Sequence, residues 1–200
     1  MNMLMSNKYG VEPGITRGAF FKALLASIEQ TEVYGGGYPK RLMKLDAGLK
    51  SAKTMFQAAH STGNKLIFVG NGGSCAIASH MAADFTKNGP MRSVALNDAP
   101  TLTCLGNDFG YDQVFAKQIE YYGQPGDVVV IISTSGKSPN ILQAAAAAKN
   151  GNCEVVTFSG MRPDNGLRQH GSLNFYVPSH DYGLVELSHN ALLHSIVSIP

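Results

Sequence analysis

Two short polar runs in this chain have the composition to hold an anion. The first, Gly70-Asn71-Gly72-Gly73-Ser74, follows an apolar run and leads into a helical pattern beginning near Cys75. Glycines let the backbone come close to a ligand, and the first turn of a helix offers unpaired N–H groups at the positive end of its dipole. The run lacks the Gly-Lys-Ser/Thr ending of a Walker loop and the third glycine of a dinucleotide fingerprint. A purely structural turn and an anion cradle both stay open for it. The second run, Ser133-Thr134-Ser135-Gly136-Lys137-Ser138, follows the strongest strand pattern and precedes a helix whose first turn suits Pro139. A helix cap needs one Ser or Thr. Four hydroxyls in six positions favour a phosphate monoester held by neutral donors.

A second set of residues could bind metal or move protons. His80 and Asp84 lie four apart on the helix after the first run, so both project from one face. They can share a divalent metal, or simply pair with each other. Near the end of the chain Glu186, His189 and His194 stand among Leu184, Val185, Leu187, Leu192 and Leu193, a largely buried helix whose polar groups need partners. At about 100° per residue, His194 lies about 80° from Glu186 and His189 about 60° from it on the other side. The geometry predicts that one histidine shares a site with Glu186, while the other can be a hydrogen-bonded core residue.

The elements that must position these groups follow from apolar spacing. Residues 16–33 (Phe20, Leu24, Leu25, Ile28) and 39–60 (Leu42, Leu45, Leu49, Met55, Phe56) read as amphipathic helices separated by Gly35-Gly36-Gly37. From Lys65 onward, apolar runs at 66–69, 93–96, 128–132, 155–158 and 173–177 read as strands. Residues 112–122, 139–150 and 183–197 read as helices, and the alanine run from Ala144 to Ala148 suits close helix packing. The alternation predicts an α/β fold: a three-layer sandwich around a central, mostly parallel five-stranded sheet, with N-terminal helices. One domain is expected over 1–200, with a helical segment at 15–62 and a ligand-binding core at 65–197. Its site belongs in the crevice beyond the strands' carboxyl ends.

Composition narrows the partners. The 200 residues are 44% hydrophobic and 15% charged, with a formal net charge of +2, as in a globular protein with an extensive interior. No Lys/Arg cluster tracks a phosphate backbone, so nucleic acid is not expected. Cys75, Cys104 and Cys153 are few and widely spaced, which suits a reducing cytoplasm. No run reaches the ~18 apolar residues of a membrane span and no leader pattern opens the chain, so a cytoplasmic protein without membrane partners is expected.

The ordered motifs GNGGS, NDFGY (Asn107 to Tyr111) and PGDVVVIISTSGKSPN (Pro125 to Asn140) resemble those of the SIS-domain family, in its phosphoheptose isomerase branch. The resemblance implies the flavodoxin-like SIS fold and a sugar-phosphate site. There Ser133, Thr134, Ser135 and Ser138 bind the phosphate, with Asn71, Gly72, Gly73 and Ser74 at the substrate and Asp98 orienting sugar hydroxyls. It also implies a divalent metal, zinc by preference and one per subunit, on His80, Asp84, Glu186 and His194, with Glu186 also touching substrate. The implied reaction is aldose–ketose isomerisation of sedoheptulose 7-phosphate to D-glycero-D-manno-heptose 7-phosphate through an enediolate, supplying lipopolysaccharide or capsule. Asp84 is assigned as base and His194 as acid, in a homotetramer with sites at subunit contacts. Three positions depart from the family pattern: Asp84 replaces Glu, Glu186 replaces neutral Gln, and Gly183 replaces an acidic residue near which Asp181 stands. They leave open an isomerase for another sugar phosphate, or a non-catalytic sugar-phosphate-binding regulator or partner protein.

Overall fold

The computed structural model of the chain describes residues 16–35 and 41–198. The opening residues, Gly36 and Gly37 of the separating glycines, and the start of the expected second helix at Pro39 lie outside them. Five expected strands are present as β3 (Leu66–Gly70), β4 (Ser93–Ala95), β5 (Val128–Ser133), β6 (Glu154–Ser159) and β7 (Leu173–Tyr176). The unbroken run of branched residues in β5 is buried at every position, as a strand covered on both faces requires. Side chains alternate between the faces. Phe68, Val130, Ile132 and Phe158 point to a layer formed by α2 (Leu45–Ser61), α3 (Gly72–Lys87) and α7 (Tyr182–Ser198). Ile67, Val69, Val129 and Ile131 point to α4 (Ala99–Phe109), α5 (Val114–Tyr122) and α6 (Pro139–Asn150). Ala144, Ala145 and Ala148 are fully buried, so the alanine run does bring α6 close against its neighbours.

The sheet is larger than the five strands expected. Its order is β2-β1-β7-β6-β5-β3-β4, with β1 (Glu32–Gly35) and β2 (Arg41–Met43) forming an antiparallel hairpin on the edge of β7. These strands take over the ends of the two helices expected at 16–33 and 39–60. The first, α1 (Arg17–Glu29), stops early and α2 starts late. The cause is tertiary: Val33 pairs with Phe175, is fully buried, and packs against Gly48, where a Cβ would come within 2.5 Å of its Cγ1. Four residues of alternation are too short to outvote a helical pattern beforehand. Helix α4 was also not expected; Asp98 caps it by accepting from the Thr101 N–H at 3.0 Å, with Pro100 in its first turn. The helix expected at 112–122 opens with a 3₁₀ turn, Tyr111–Gln113, before α5.

Strand order brings the two polar runs together. β3 lies between β4 and β5, with all three parallel. The chain therefore leaves β3 toward one side and returns on the other, opening a crevice at the carboxyl ends of β3 and β5. Among the described residues, no helix is long and apolar enough to cross a membrane.

The opposite edge is clamped by a buried carboxylate. Asp127 is fully buried and accepts from Lys65 Nζ at 2.6 Å, the Lys65 N–H at 2.9 Å, the Gln124 N–H at 2.9 Å and Asn64 Nδ2 at 3.2 Å. Burial alone would raise its pKa, but these donors outweigh it and hold the carboxyl below the usual aspartate range. Asp127→Asn is expected to cost about 2–3 kcal/mol near neutral pH. That contribution is complete above the unfolded pKa of ~3.9 and is lost as pH falls through the lower folded value. Thermal unfolding of both proteins across pH 7 to 2 checks this: the gap between them narrows only at the acid end.

Candidate active site

Helices α3, α6 and α7 all begin at the carboxyl edge of the sheet, around a cavity of about 250 Å³. Asn71, Gly72, Gly73, Ser74, Ser133, Thr134, Ser135 and Ser138 line it, together with Tyr182 and Glu186. Three helices begin around it, with the positive ends of their dipoles on that side, and among the described residues no Lys or Arg lines it. The hydroxyls divide the work. Ser133 Oγ accepts from the Gly136 N–H at 3.2 Å and Ser135 Oγ from the Lys137 N–H at 3.4 Å, which shapes the loop. Thr134 Oγ1 is buried without a hydrogen-bond partner, and Ser138, although at the cap position of α6, makes no side-chain cap bond. Capping therefore does not explain Ser138, which lines the cavity.

The loop is shaped by close approach. Gly136 has φ +60°, and a side chain there would collide with Asn165. Asn165 is itself buried and held by bonds to the Gly160 and Arg162 carbonyls. At Gly73 a Cβ would come within 2.5 Å of Glu186 Oε2, so the Glu186 carboxylate lies against the glycine turn that starts α3. Burial raises the Glu186 pKa above the usual glutamate range.

His80, Asp84 and His194 gather two helical turns farther along α3 and α7. His80 Nε2 lies 3.2 Å from His194 Nε2, and Asp84 Oδ2 lies 3.6 Å from His80 Nε2 and 3.3 Å from His194 Nδ1. One ligand atom from each falls within 4.8 Å of the others. Two imidazoles and a carboxylate brought this close form a donor set whose chemistry fits a divalent metal. Glu186 stands outside this group, in the wall of the serine-lined cavity.

Other candidates have different places. Asp98 is exposed and not among the cavity's lining residues; its side chain caps α4, and bonds from the Thr101 hydroxyl and N–H lower its pKa. His189 is fully buried and bonds the Ser159 carbonyl at 3.1 Å, edge-on to the Phe158 ring. It is the core histidine of the pair, and His194 the one that joins a site. Sequence reasoning missed Tyr182, whose signal is its place four residues before Glu186 on the same face. It also missed Asn140, whose amide exchanges two 2.9 Å bonds with Asn71; the serine run's immediate continuation into Pro139-Asn140 was the available signal.

A profile of the SIS domain family matches residues 40–160. The phosphoheptose isomerase of Citrifermentans bemidjiense is 34% identical over 162 residues, covering 78% of this chain and 84% of that protein. The structure of the phosphoheptose isomerase from Neisseria gonorrhoeae superposes with a TM-score of 0.78 at 30% identity, covering 90% of this chain and 94% of the other. That from Francisella tularensis gives 0.76 at 25% identity, with 90% and 91% covered.

The chain belongs to the SIS-domain family, in its phosphoheptose isomerase branch. Its departures from the family pattern now have locations. Asp84 sits in the His/Asp/His group, Glu186 leans on Gly73, and Asp181, near the position where the family carries an acidic residue, caps α7 by accepting from the Leu184 N–H at 2.9 Å.

Gly136→Ala is expected to cost about 1–3 kcal/mol, from the left-handed φ and the collision with Asn165. It should also lower affinity for phosphate, both readable by thermal unfolding and calorimetric titration. Burial pushes the His189 imidazole from 6.5 down to about 4, against the opposing pull of its bond to the Ser159 carbonyl. Between those values the unfolded chain takes a proton that the folded chain refuses, so stability falls with pH by roughly 3 kcal/mol. His189→Leu should flatten that part of the Tm–pH curve.

Proposed function

We propose that this protein converts sedoheptulose 7-phosphate to D-glycero-D-manno-heptose 7-phosphate, with Ser133, Thr134, Ser135, Ser138 and the Asn71–Ser74 turn holding the phosphate. One observation carries the reading: the anion cavity and the His80/Asp84/His194 group occupy the same two helices, two turns apart. The steps from Gly73 to His80 and from Glu186 to His194 each correspond to about 10–12 Å of helix axis. An extended seven-carbon chain with phosphate at one end suits that separation.

The reaction needs a base beside the carbonyl, an acid for its oxygen, and stabilisation of the enediolate. Asp84 takes the proton from C1 and returns it to C2. His194 donates a proton to O2 and takes up the proton that O1 gives up, so it ends the cycle as it began. A divalent metal, zinc by its donor set, would be held by His80, Asp84 and His194 and would supply polarisation of the carbonyl oxygen. Glu186 and Tyr182 close the phosphate end, and Asp98 is available to sugar hydroxyls only where its capping role leaves it free.

A homotetramer accords with the large apolar side chains left on the surface, among them Phe21, Leu25, Tyr111 and Tyr121, each more than half exposed. A cytoplasmic setting accords with three free cysteines. A different sugar phosphate is the second reading, favoured by the shorter Asp84 and by the position of Glu186 outside the histidine group.

Purified protein incubated with sedoheptulose 7-phosphate and followed by NMR, with metal content measured alongside, tests the proposal. Turnover is expected, to be abolished by chelator and restored by zinc. His194→Ala should lower kcat by about 10²–10⁴-fold with little change in KM. Absence of both turnover and bound metal would sink the isomerase reading.

A further inference from the structure

The two anion-facing loops are joined by a side-chain pair, Asn71 with Asn140, of which the proposed chemistry uses only Asn71. Asn71 Nδ2 donates to Asn140 Oδ1, and Asn140 Nδ2 donates back to Asn71 Oδ1, each at 2.9 Å; the Tyr111 hydroxyl reaches the same Asn71 oxygen at 3.4 Å. Asn71 stands at the cap position of α3 and makes no side-chain cap bond there. Its amide is turned across the crevice instead. Asn140 is 2% exposed, in the first turn of α6, where a buried amide needs partners. On one side of this pair lies the cavity of about 250 Å³ already described; on the other lies a second, of about 240 Å³, lined by Tyr111, Asp112, Pro139 and Asn140. Asn71 and Ser138 line both.

We propose that Asn140 is a positioning residue for the phosphate site: through Asn71 it locks the glycine turn of α3 to the serine loop of α6, and walls the phosphate cavity off from its neighbour. The loops follow different strands, whose pairing ends at Gly70 and Ile132, and beyond that point the amide pair ties them together. Two reciprocal bonds between planar amides fix their separation and their angle. Asn140 itself does not line the phosphate cavity; it acts on the width of the mouth. The inference rests on the phosphate-binding reading of the two loops, and not on turnover.

A double-mutant cycle on the full chain tests it, with inorganic phosphate and sedoheptulose 7-phosphate as titrants in calorimetry. Asn140→Ala is expected to weaken phosphate binding about tenfold, the size expected for loss of one partner in a buried hydrogen-bonded pair. In an Asn71→Ala background it should change nothing. With sedoheptulose 7-phosphate, KM should rise while kcat holds, because the proton-transfer groups lie two turns away. Asn140→Ser serves if Asn140→Ala does not fold. Equal losses from Asn140→Ala in both backgrounds would overturn the proposal, as would a lower Tm and kcat with phosphate affinity unchanged. Wild type that binds phosphate without isomerising would defeat the functional reading alone and leave the cycle decisive. Wild type that binds no phosphate would overturn both.

Discussion

Three helix N-termini converge on one small cavity, and much of the site follows from that convergence. With no Lys or Arg among the described residues of its wall, the cavity offers an anion N–H groups, hydroxyls and aligned peptide dipoles. Those groups are effective only if the helices that carry them are held rigidly. The rigidity comes from the sheet beneath: β3, β5 and β7, which precede α3, α6 and α7, are buried at every position, so none can slip in register without moving its core face.

Close packing at the loops translates that rigidity into shape. Gly73 leaves room for the Glu186 carboxylate, and Gly136 leaves room for Asn165. Neither position tolerates a Cβ without displacing a neighbour, so the polar walls of the cavity are set by backbone approach as much as by side-chain identity. The α3–α7 pair then works as a ruler. Because the two helices run side by side in the same direction, Glu186 meets Gly73 near their starts and His194 meets His80 and Asp84 two turns on. Wherever a substrate binds at one end, the other end is at a distance set by helical rise.

The N-terminal hairpin and the second amide partner show where reading a sequence runs out. Val33 sits in a stretch whose apolar spacing suits a helix, and only its pairing with Phe175 and its contact with Gly48 make it a strand. Helix α4 has a recognisable start in Asp98, Ala99 and Pro100, but Gly106 and the threonines within it weaken the pattern. Glu186 and His194 were legible as members of one helix face region, yet the helix is long enough for its two ends to serve different parts of a site. Spacing gives angles around an axis; it does not say which neighbour lies beside each turn.

The sequence by itself determined the parallel core, the two hydroxyl- and glycine-rich loops at its edge, the family, and the candidates His80, Asp84 and His194. These are local properties: periodicity, turn chemistry and motif order are written in neighbouring residues. Tertiary structure alone decided that the sheet has seven strands, that Glu186 leans on Gly73 rather than joining the histidines, and that Asn71 reaches Asn140. Each of these depends on a contact between segments tens of residues apart, and such contacts are chosen by the packing of the whole core rather than by any window of the chain.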